Sequence, residues 1–371
     1  MSGTRQRFAL IAGGGTAGHV HPGVAVARAL VEGGHGSNTI LYVGSERGIE
    51  HELVPPAGFE LATLPGRGIP RRLSWAAVKA SFELARGVVA GVRLVGRERP
   101  RVVLSLGGFA AVPCAVAAWL RKVPVVIHEQ NAVPGSANRL IGRWARASAV
   151  SFAGTDLPRA VVTGNPVRNE MRAIDRARDR TSARNQLGIG SSQRMIVVTG
   201  GSLGALRLNH AAIAAARIWS ERADLTVYHV VGARDWDELA ADRDAISGAI
   251  DYRAVRYESD MPTVFAAADL VVSRAGASTT AELAVVGLPS ILVPLPHAPG
   301  DHQTANASAL VAAGGATMVV DDALDGRRLA SEVEAMIDEP GRLDEMSDAA
   351  RSIGRRDAAE RVAELMEEYA R

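Results

Sequence analysis

FALIAGGGTAGHVHPG, residues 8–23, is the stretch that decides the fold. Phe8 to Ala12 is a short apolar run, and Gly13, Gly14 and Gly15 end it. Beyond them Val20, Val24, Val26, Ala27 and Leu30 recur at helical spacing until Gly33 and Gly34 stop the pattern. An apolar strand, a glycine turn and a helix in that order open a βαβ unit whose strand is buried on both faces.

The same alternation extends outward. Ile40 to Val43 reads as a strand, Glu46 to Val54 as a helix, and Phe59 to Leu64 as a strand. Val102 to Leu106 and Val125 to His128 are further strands, separated by a helix from Ala110 to Leu120. The charged segment MRAIDRARDRTSAR, Met171 to Arg184, has no strand signal and reads as the exit from a first domain, with some helix. The pattern then restarts. Met195 to Thr199 is a strand, Gly200 to Ala205 a glycine turn, and a helix follows from Leu208. Leu225 to Val231, Tyr252 to Val255, Leu270 to Ser273, Ser290 to Val293 and Thr317 to Val320 supply more strands. The expectation is an α/β protein of two Rossmann-like, doubly wound parallel-sheet domains, residues 1–166 and 167–349, with a helical tail at about 350–371 returning to the first.

Composition narrows the function classes. The 371 residues are 47% hydrophobic and 22% charged, as expected of a globular enzyme. The net charge of +2 gives no overall polyanion binder, so no nucleic-acid partner is expected. Cys114 is the single cysteine. It excludes an intramolecular disulfide and a cysteine-based zinc site, and its apolar surroundings mark it as core. Met1 to Phe8 lacks a signal-peptide pattern, and no run of about 18 apolar residues is present. A membrane would be met from the side.

Three turns share one design: Gly13 to Gly18, Ser105 to Phe109 and Gly200 to Ala205. Glycines allow close backbone approach, and the amides at the following helix start favour an anion. Each turn alone is also ordinary strand-to-helix punctuation; three in one chain suit a reaction with several phosphates. The first turn is not Gly-x-Gly-x-x-Gly, and Gly44 and Ser45 stand where a nicotinamide enzyme needs an acid. No Gly-Lys-Ser/Thr of a P-loop occurs.

Gly14-Gly15-Thr16-Ala17-Gly18-His19-Val20-His21-Pro22, Gly107-Gly108-Phe109, His128-Glu129-Gln130-Asn131 and Gly164-Asn165-Pro166-Val167-Arg168 follow in order. Gly200-Gly201-Ser202, Ser273 to Ala277 with Glu282, and Gln303 with Asn306 complete the series. The ordered set resembles glycosyltransferase family 28, and the match runs from about Leu10 to about Gly315. The resemblance implies a GT-B fold, its two domains facing across a cleft. It implies inverting transfer of N-acetylglucosamine from UDP-N-acetylglucosamine to lipid I (undecaprenyl-diphospho-N-acetylmuramoyl-pentapeptide), giving lipid II in peptidoglycan synthesis. It also implies work at the cytoplasmic face of the bacterial membrane, with cell-wall synthesis proteins as partners.

Site residues carry over by motif. The resemblance gives His19 the role of catalytic base, with Glu129 its rival. It places Thr16, Ala17 and Gly18 against the donor sugar and diphosphate, and Asn131 on hydroxyls of the transferred sugar. Arg168 and Ser202 neutralise the donor diphosphate. Ala277, Ser278, Thr279, Thr280, Ala281 and Glu282 open a helix beneath the nucleotide, with Glu282 on the ribose. Gln303 reaches the sugar hydroxyls. Gly14, Gly15, Gly107 and Gly108 suit the acceptor diphosphate. The sequence departs from the family at Ala17 (often Gly), at Leu203 (commonly Gln), and in His297 to Gln303, which is one residue longer.

The chemistry asks for a base at the acceptor hydroxyl and anion stabilisation at the departing UDP. Histidine titrates near neutral pH and suits the first task; His19 could instead bind phosphate at its helix start. Glu129 is either a base or a carboxylate that orients its loop. No metal or other cofactor is called for, since arginine and helix starts can take a cation's place. Asp321-Asp322 lacks Asp-x-Asp spacing and reads as a helix cap.

Gly66 to Arg101 carries nine Lys or Arg against two acids, a net +7, with Ile69, Leu73, Trp75, Val78, Phe82, Val88, Val89 and Val92 interleaved. This suits reversible docking on the anionic inner leaflet. The same residues could equally be core and a solvated helix face. Three rivals remain: a UDP-N-acetylglucosamine 2-epimerase, a diacylglycerol glycosyltransferase and a non-catalytic nucleotide-sugar-binding protein.

Overall fold

The computed structural model describes residues 6–46, 48–65, 75–201 and 204–371, without side chains at 75–82 and 84. Residues 66–74, part of the basic stretch, therefore lie outside the described residues, as does Ser202. The chain divides into two compact units, Met1–Arg168 with Arg355–Arg371, and Asn169–Gly354.

In the first unit the glycine-punctuated apolar runs become parallel strands. They are β1 (Ala9–Ala12), β2 (Ile40–Ser45), β3 (Glu60–Leu64), β4 (Val102–Ser105), β5 (Val125–Glu129), β6 (Ala147–Val150) and β7 (Ala160–Val162), in the order β3-β2-β1-β4-β5-β6-β7. Central β1 pairs on both sides, Ala9 with Ile40 and with Val102. All four residues of β1 and of β4 are buried, as helices on both faces require. The helices are α1 (Ala17–Glu32), α2 (Glu50–Leu53), α3 (Trp75–Glu98), α4 (Ala111–Leu120) and α5 (Ser136–Ile141).

Two local expectations are corrected here. The helix expected over Glu46 to Val54 is a single turn, α2, because Pro55 and Pro56 follow at once and pass into a 3-10 turn. β6 and β7 had no sequence signal. β6 is four residues long, and all three residues of β7 are exposed, so hydrophobic patterning cannot mark either.

The second unit repeats the design. Its strands are β8 (Arg194–Thr199), β9 (Leu225–Val230), β10 (Asp251–Val255), β11 (Leu270–Ser273), β12 (Ser290–Leu292) and β13 (Ala316–Met318), ordered β10-β9-β8-β11-β12-β13. Around them lie α6 (Asn169–Arg172), α7 (Arg176–Gln186), α8 (Leu206–Ile218), α9 (Ala240–Asp244), α10 (Met261–Ala267), α11 (Ala277–Val286), α12 (His302–Ala313), α13 (Gly326–Ile337) and α14 (Arg342–Ile353).

The charged 171–184 segment is more than an exit. Arg176, Arg180 and Arg184 recur every fourth residue on α7, so one face carries all three guanidinium groups. Arg176 donates to Ala268 O at 2.6 Å, Arg180 to Asp269 Oδ1 at 2.6 Å, and Arg184 to Ala267 O at 3.2 Å. They cap the carbonyl end of α10, where cations are favoured. Asp269 also accepts from Met195 N at 2.8 Å and ties the clamp to β8.

The last helix, α15 (Ala358–Tyr369), belongs to the first unit. Ala359, Val362, Ala363 and Met366, one stripe at helical spacing, join Val20, Val24 and Leu30 in a single apolar cluster. Among the described residues no helix is long and apolar enough to cross a membrane.

Candidate active site

In an open α/β sheet, ligands sit at the carboxyl ends of the strands where the strand order reverses. That point lies between β1 and β4 in the first unit and between β8 and β11 in the second. The glycine turns follow β1, β4 and β8, so the switch points themselves carry them.

In the first unit two of these turns touch. A side chain on Gly108 would come within 2.5 Å of Gly14 O, and one on Gly13 within 2.5 Å of Leu106 Cβ. Gly15, Gly107 and Gly108 have φ of +90°, +86° and +76°, a backbone region that glycine occupies without strain. Thr16 precedes α1 in extended conformation, and neither a capping side chain nor an acid occupies that helix start. Its first amides are available to an anion or an oxygen-rich ligand.

His19 lies in this first turn, half-buried. Its Nδ1 is 3.1 Å from Thr16 Oγ1. Its Nε2 faces Gly107, 3.5 Å from where a Cβ there would lie. Burial pushes the imidazole pKa below its ordinary value, against the opposing pull of the Glu129 and Glu50 carboxylates. A neutral imidazole with a free-facing Nε2 can accept a proton.

Glu129 is arranged differently. Its Oε1 accepts from Asn131 N at 3.1 Å and Asn131 Nδ2 at 3.4 Å. Its Oε2 accepts from Gly135 N at 3.0 Å and Asn138 Nδ2 at 2.9 Å. Both oxygens hold the 131–138 loop, and the carboxylate is 2% exposed. His128, fully buried, is 3.2 Å from Gly164 O, and burial pushes its pKa down to about 4. Asn138 and Glu50 escaped the sequence reading. A buried polar side chain shows no periodic signal.

The glycines differ in what they offer. Gly15 N donates to Glu50 Oε1 at 2.8 Å, so that amide is committed inside the protein rather than presented to a diphosphate. Arg168 ends the first unit, half-buried.

In the second unit α11 starts after Gly276 with no side-chain cap and no acid in its first turn. Ala277, Ser278 and Thr279 thus open a ten-residue helix whose first amides suit a phosphate or nucleotide. Thr280 turns inward: it is 1% exposed, and its hydroxyl lies 3.2 Å from Gly276 O and 3.1 Å from Ala277 O. Ala281 is half-buried, and Glu282 is 9% exposed on the same helix. Gln303 spends its carbonyl oxygen on structure, accepting from Ala275 N at 3.2 Å and Leu295 N at 2.9 Å. Asn306 donates to Ala275 O at 3.2 Å, so the two residues brace the turn after β11.

Asp321-Asp322 is not a helix cap. Asp321 begins a 3-10 turn without a side-chain cap bond; instead it pairs with Arg274 at 2.6 Å and Arg207 at 3.0 Å. Two guanidinium groups nearby outweigh a single backbone amide as partners for a carboxylate.

Comparison with known proteins decides the family. The model of the glycosyltransferase family 28 N-terminal domain matches residues 9–150, and that of the C-terminal domain matches residues 195–362. The chain belongs to glycosyltransferase family 28. A relative from Clavibacter michiganensis subsp. michiganensis is 42% identical over 360 residues, covering 96% of this chain and 95% of its own. One from Alkalilimnicola ehrlichii is 41% identical over 365 residues, covering 98% and 99%. Both are named UDP-N-acetylglucosamine--N-acetylmuramyl-(pentapeptide) pyrophosphoryl-undecaprenol N-acetylglucosamine transferase. The solved MurG of Acinetobacter baumannii is similar over 98% of this chain and 99% of its own, with a TM-score of 0.76 and 27% identity. Two parallel-sheet α/β units of seven and six strands match this GT-B neighbour, and the family-28 chain is a UDP-sugar glycosyltransferase.

Proposed function

We propose that this family-28 enzyme transfers N-acetylglucosamine from UDP-N-acetylglucosamine to the C4 hydroxyl of the N-acetylmuramoyl sugar of lipid I, with inversion, to give lipid II. The observation that carries this reading is the 42% identity to a transferase of that name across 96% of the chain. The likeness spans both units, so acceptor and donor machinery are inherited together. The epimerase, diacylglycerol transferase and binding-protein readings have no comparable support.

In this reading the first unit serves the acceptor and the second the donor. His19 Nε2 takes the proton of the acceptor hydroxyl, whose oxygen bonds to the sugar C1 as the bond from C1 to the diphosphate oxygen breaks. The electron pair leaves with UDP. Such a base contributes roughly 10²–10⁴-fold. Thr16 orients the ring through Nδ1, and Glu129 shapes the loop that presents Asn131 to the transferred sugar. The open amides of α11, with Glu282, hold the nucleotide, while Arg168 and Ser202 meet the growing phosphate charge. Thr280 and Gln303 support the site from inside the protein.

We also place the enzyme on the anionic inner leaflet. Val89 on α3 and Trp119 and Leu120 on α4 are 51%, 60% and 54% exposed. Exposed Arg86, Arg93, Arg97, Arg121 and Lys122 lie on or just beyond the same two helices, whereas Val88 and Val92 are half-buried. Each basic group near such a surface contributes about 1 kcal/mol, which suits reversible docking. High salt should release the protein from phosphatidylglycerol vesicles; salt-insensitive binding would contradict this placement.

The deciding experiment incubates the protein with labelled UDP-N-acetylglucosamine and a short-chain lipid I analogue. A labelled disaccharide lipid is expected. Donor binding without transfer, or release of an epimerised sugar, would overturn the reading.

A further inference from the structure

Glu50 is the first residue of α2, and none of its surface is exposed. Its carboxylate lies directly beneath the first glycine turn. Oε1 accepts from Gly15 N at 2.8 Å and from Ser45 N at 3.5 Å. Among the described residues, Oε2 is buried with no hydrogen-bond partner. A carboxylate taken out of water and left half-satisfied costs several kcal/mol, so its retention calls for a reason.

The packing leaves room for this carboxylate and little else. A Cβ on Gly14 would lie 1.5 Å from Glu50 Oε1, one on Gly48 1.5 Å from Oε2, and one on Gly44 2.8 Å from Cγ. Three glycines, Gly44 at the end of β2 and Gly14 and Gly48 in loops, thus form the box, and any side chain on them would displace the carboxylate. The turn that carries Thr16 and His19 is fastened to Glu50 through the amide of Gly15, the residue before Thr16. Glu129 and His128 from β5 interact electrostatically with His19, and the Tyr42 phenol from β2 with Glu50. Tyr42 is fully buried, and Glu50 helps to hold its phenol protonated. Glu129 is already saturated by four donors.

We propose that Glu50 is a positioning residue: it fixes the Gly13–Thr16 turn and, beside Glu129, adds buried negative charge that balances His19 when the imidazole takes up the acceptor proton. This deepens the transferase reading and rests on it. The proton moves from the acceptor oxygen to His19 Nε2, and the resulting imidazolium lies in a half-buried site where an unbalanced positive charge is costly. Glu129 acts on His19 from the other side and the more strongly of the two, with its oxygens held by four N–H donors, whereas Glu50 Oε2 has none among the described residues. The opposing pull of both carboxylates on His19 agrees with this geometry.

The test compares wild type with Glu50→Gln, which keeps the shape and removes the charge, and Glu50→Asp, which keeps the charge and withdraws it from Gly15. The readouts are the His19 ring titration by NMR, the Gly15 amide resonance, and the pH profile of transfer. Glu50→Gln is expected to lower the His19 pKa and the acid limb by roughly 0.5–1 unit, and to reduce turnover roughly tenfold. If Glu50→Gln does not fold, Glu50→Asp decides: the Gly15 amide should shift upfield and turnover fall, with the acid limb moved less than 0.3 unit. A folded Glu50→Gln whose His19 titration matches wild type would overturn the inference, as would Glu50→Asp with unchanged Gly15 amide and turnover. Wild type that makes no disaccharide lipid, with the expected His19 shift still present in Glu50→Gln, would sink the transferase reading alone.

Discussion

Thr16 Oγ1 and His19 Nδ1 lie 3.1 Å apart, one helical turn from each other at the start of α1. The contact occupies Nδ1 and leaves Nε2 toward Gly107, so the ring has one nitrogen for structure and one for chemistry. His19→Ala should therefore cut turnover by roughly 10²–10⁴-fold while changing the donor Kd little. Thr16→Val should cost less and act on turnover through ring orientation. Steady-state kinetics with donor binding by calorimetry checks both; near-normal turnover in His19→Ala would remove the base assignment.

Glu129 should behave as a scaffold. Glu129→Ala removes the acceptor of the buried Asn138 side-chain amide and of the less buried Asn131 and Gly135 backbone amides, at a cost of roughly 1–3 kcal/mol for the buried donor. A fall in Tm, with an acid limb that moves to lower pH but persists, is the expected result, because the Glu129 carboxylate opposes the lowering of the His19 pKa by burial. An acid limb that disappears in Glu129→Gln would instead make Glu129 the base.

Gly108 and Gly15 share positive φ but differ in surroundings. Gly108→Ala adds a Cβ 2.5 Å from Gly14 O, whereas nothing lies within 4 Å of one added at Gly15. Gly15→Ala should cost about 1–2 kcal/mol of backbone strain, and Gly108→Ala that amount plus the separation of two catalytic turns. Urea midpoints and transfer rates measured together test the ranking, and equal effects would contradict the packing described.

Acid should destabilise both units through their buried histidines. His128 in the first unit and His229 in the second are buried, and burial lowers their pKa to about 4 and about 3. His229 stays neutral between Tyr252 Oη at 2.7 Å and Asn209 Oδ1 at 3.0 Å. The unfolded chain binds these protons near the ordinary value of 6.5 and the folded chain does not. Stability is thus full above about pH 6.5 and falls as pH drops toward 4, by roughly 1.4 kcal/mol per unit for each histidine. Urea unfolding at pH 7, 6 and 5 measures the slope. His229→Gln should flatten it for the second unit, and pH-independent midpoints would show that neither histidine is held neutral.

What the sequence determined by itself is the repeated design. Apolar strands, glycine turns and helical stripes are local patterns, each bounded by residues whose backbone freedom or side-chain period announces it. These patterns placed β1, β4, β8 and the turns after them, and the ordered motifs gathered His19, Asn131 and Glu282 as candidates. Only the tertiary structure decided which polar groups face inward. Glu50 beneath Gly15, Asn138 on Glu129, the inward hydroxyl of Thr280, the arginine clamp of α7 and the partners of Asp321 all depend on neighbours far apart in the chain. Burial and hydrogen-bond satisfaction belong to the folded packing rather than to any stretch of residues, so no local pattern could have shown them.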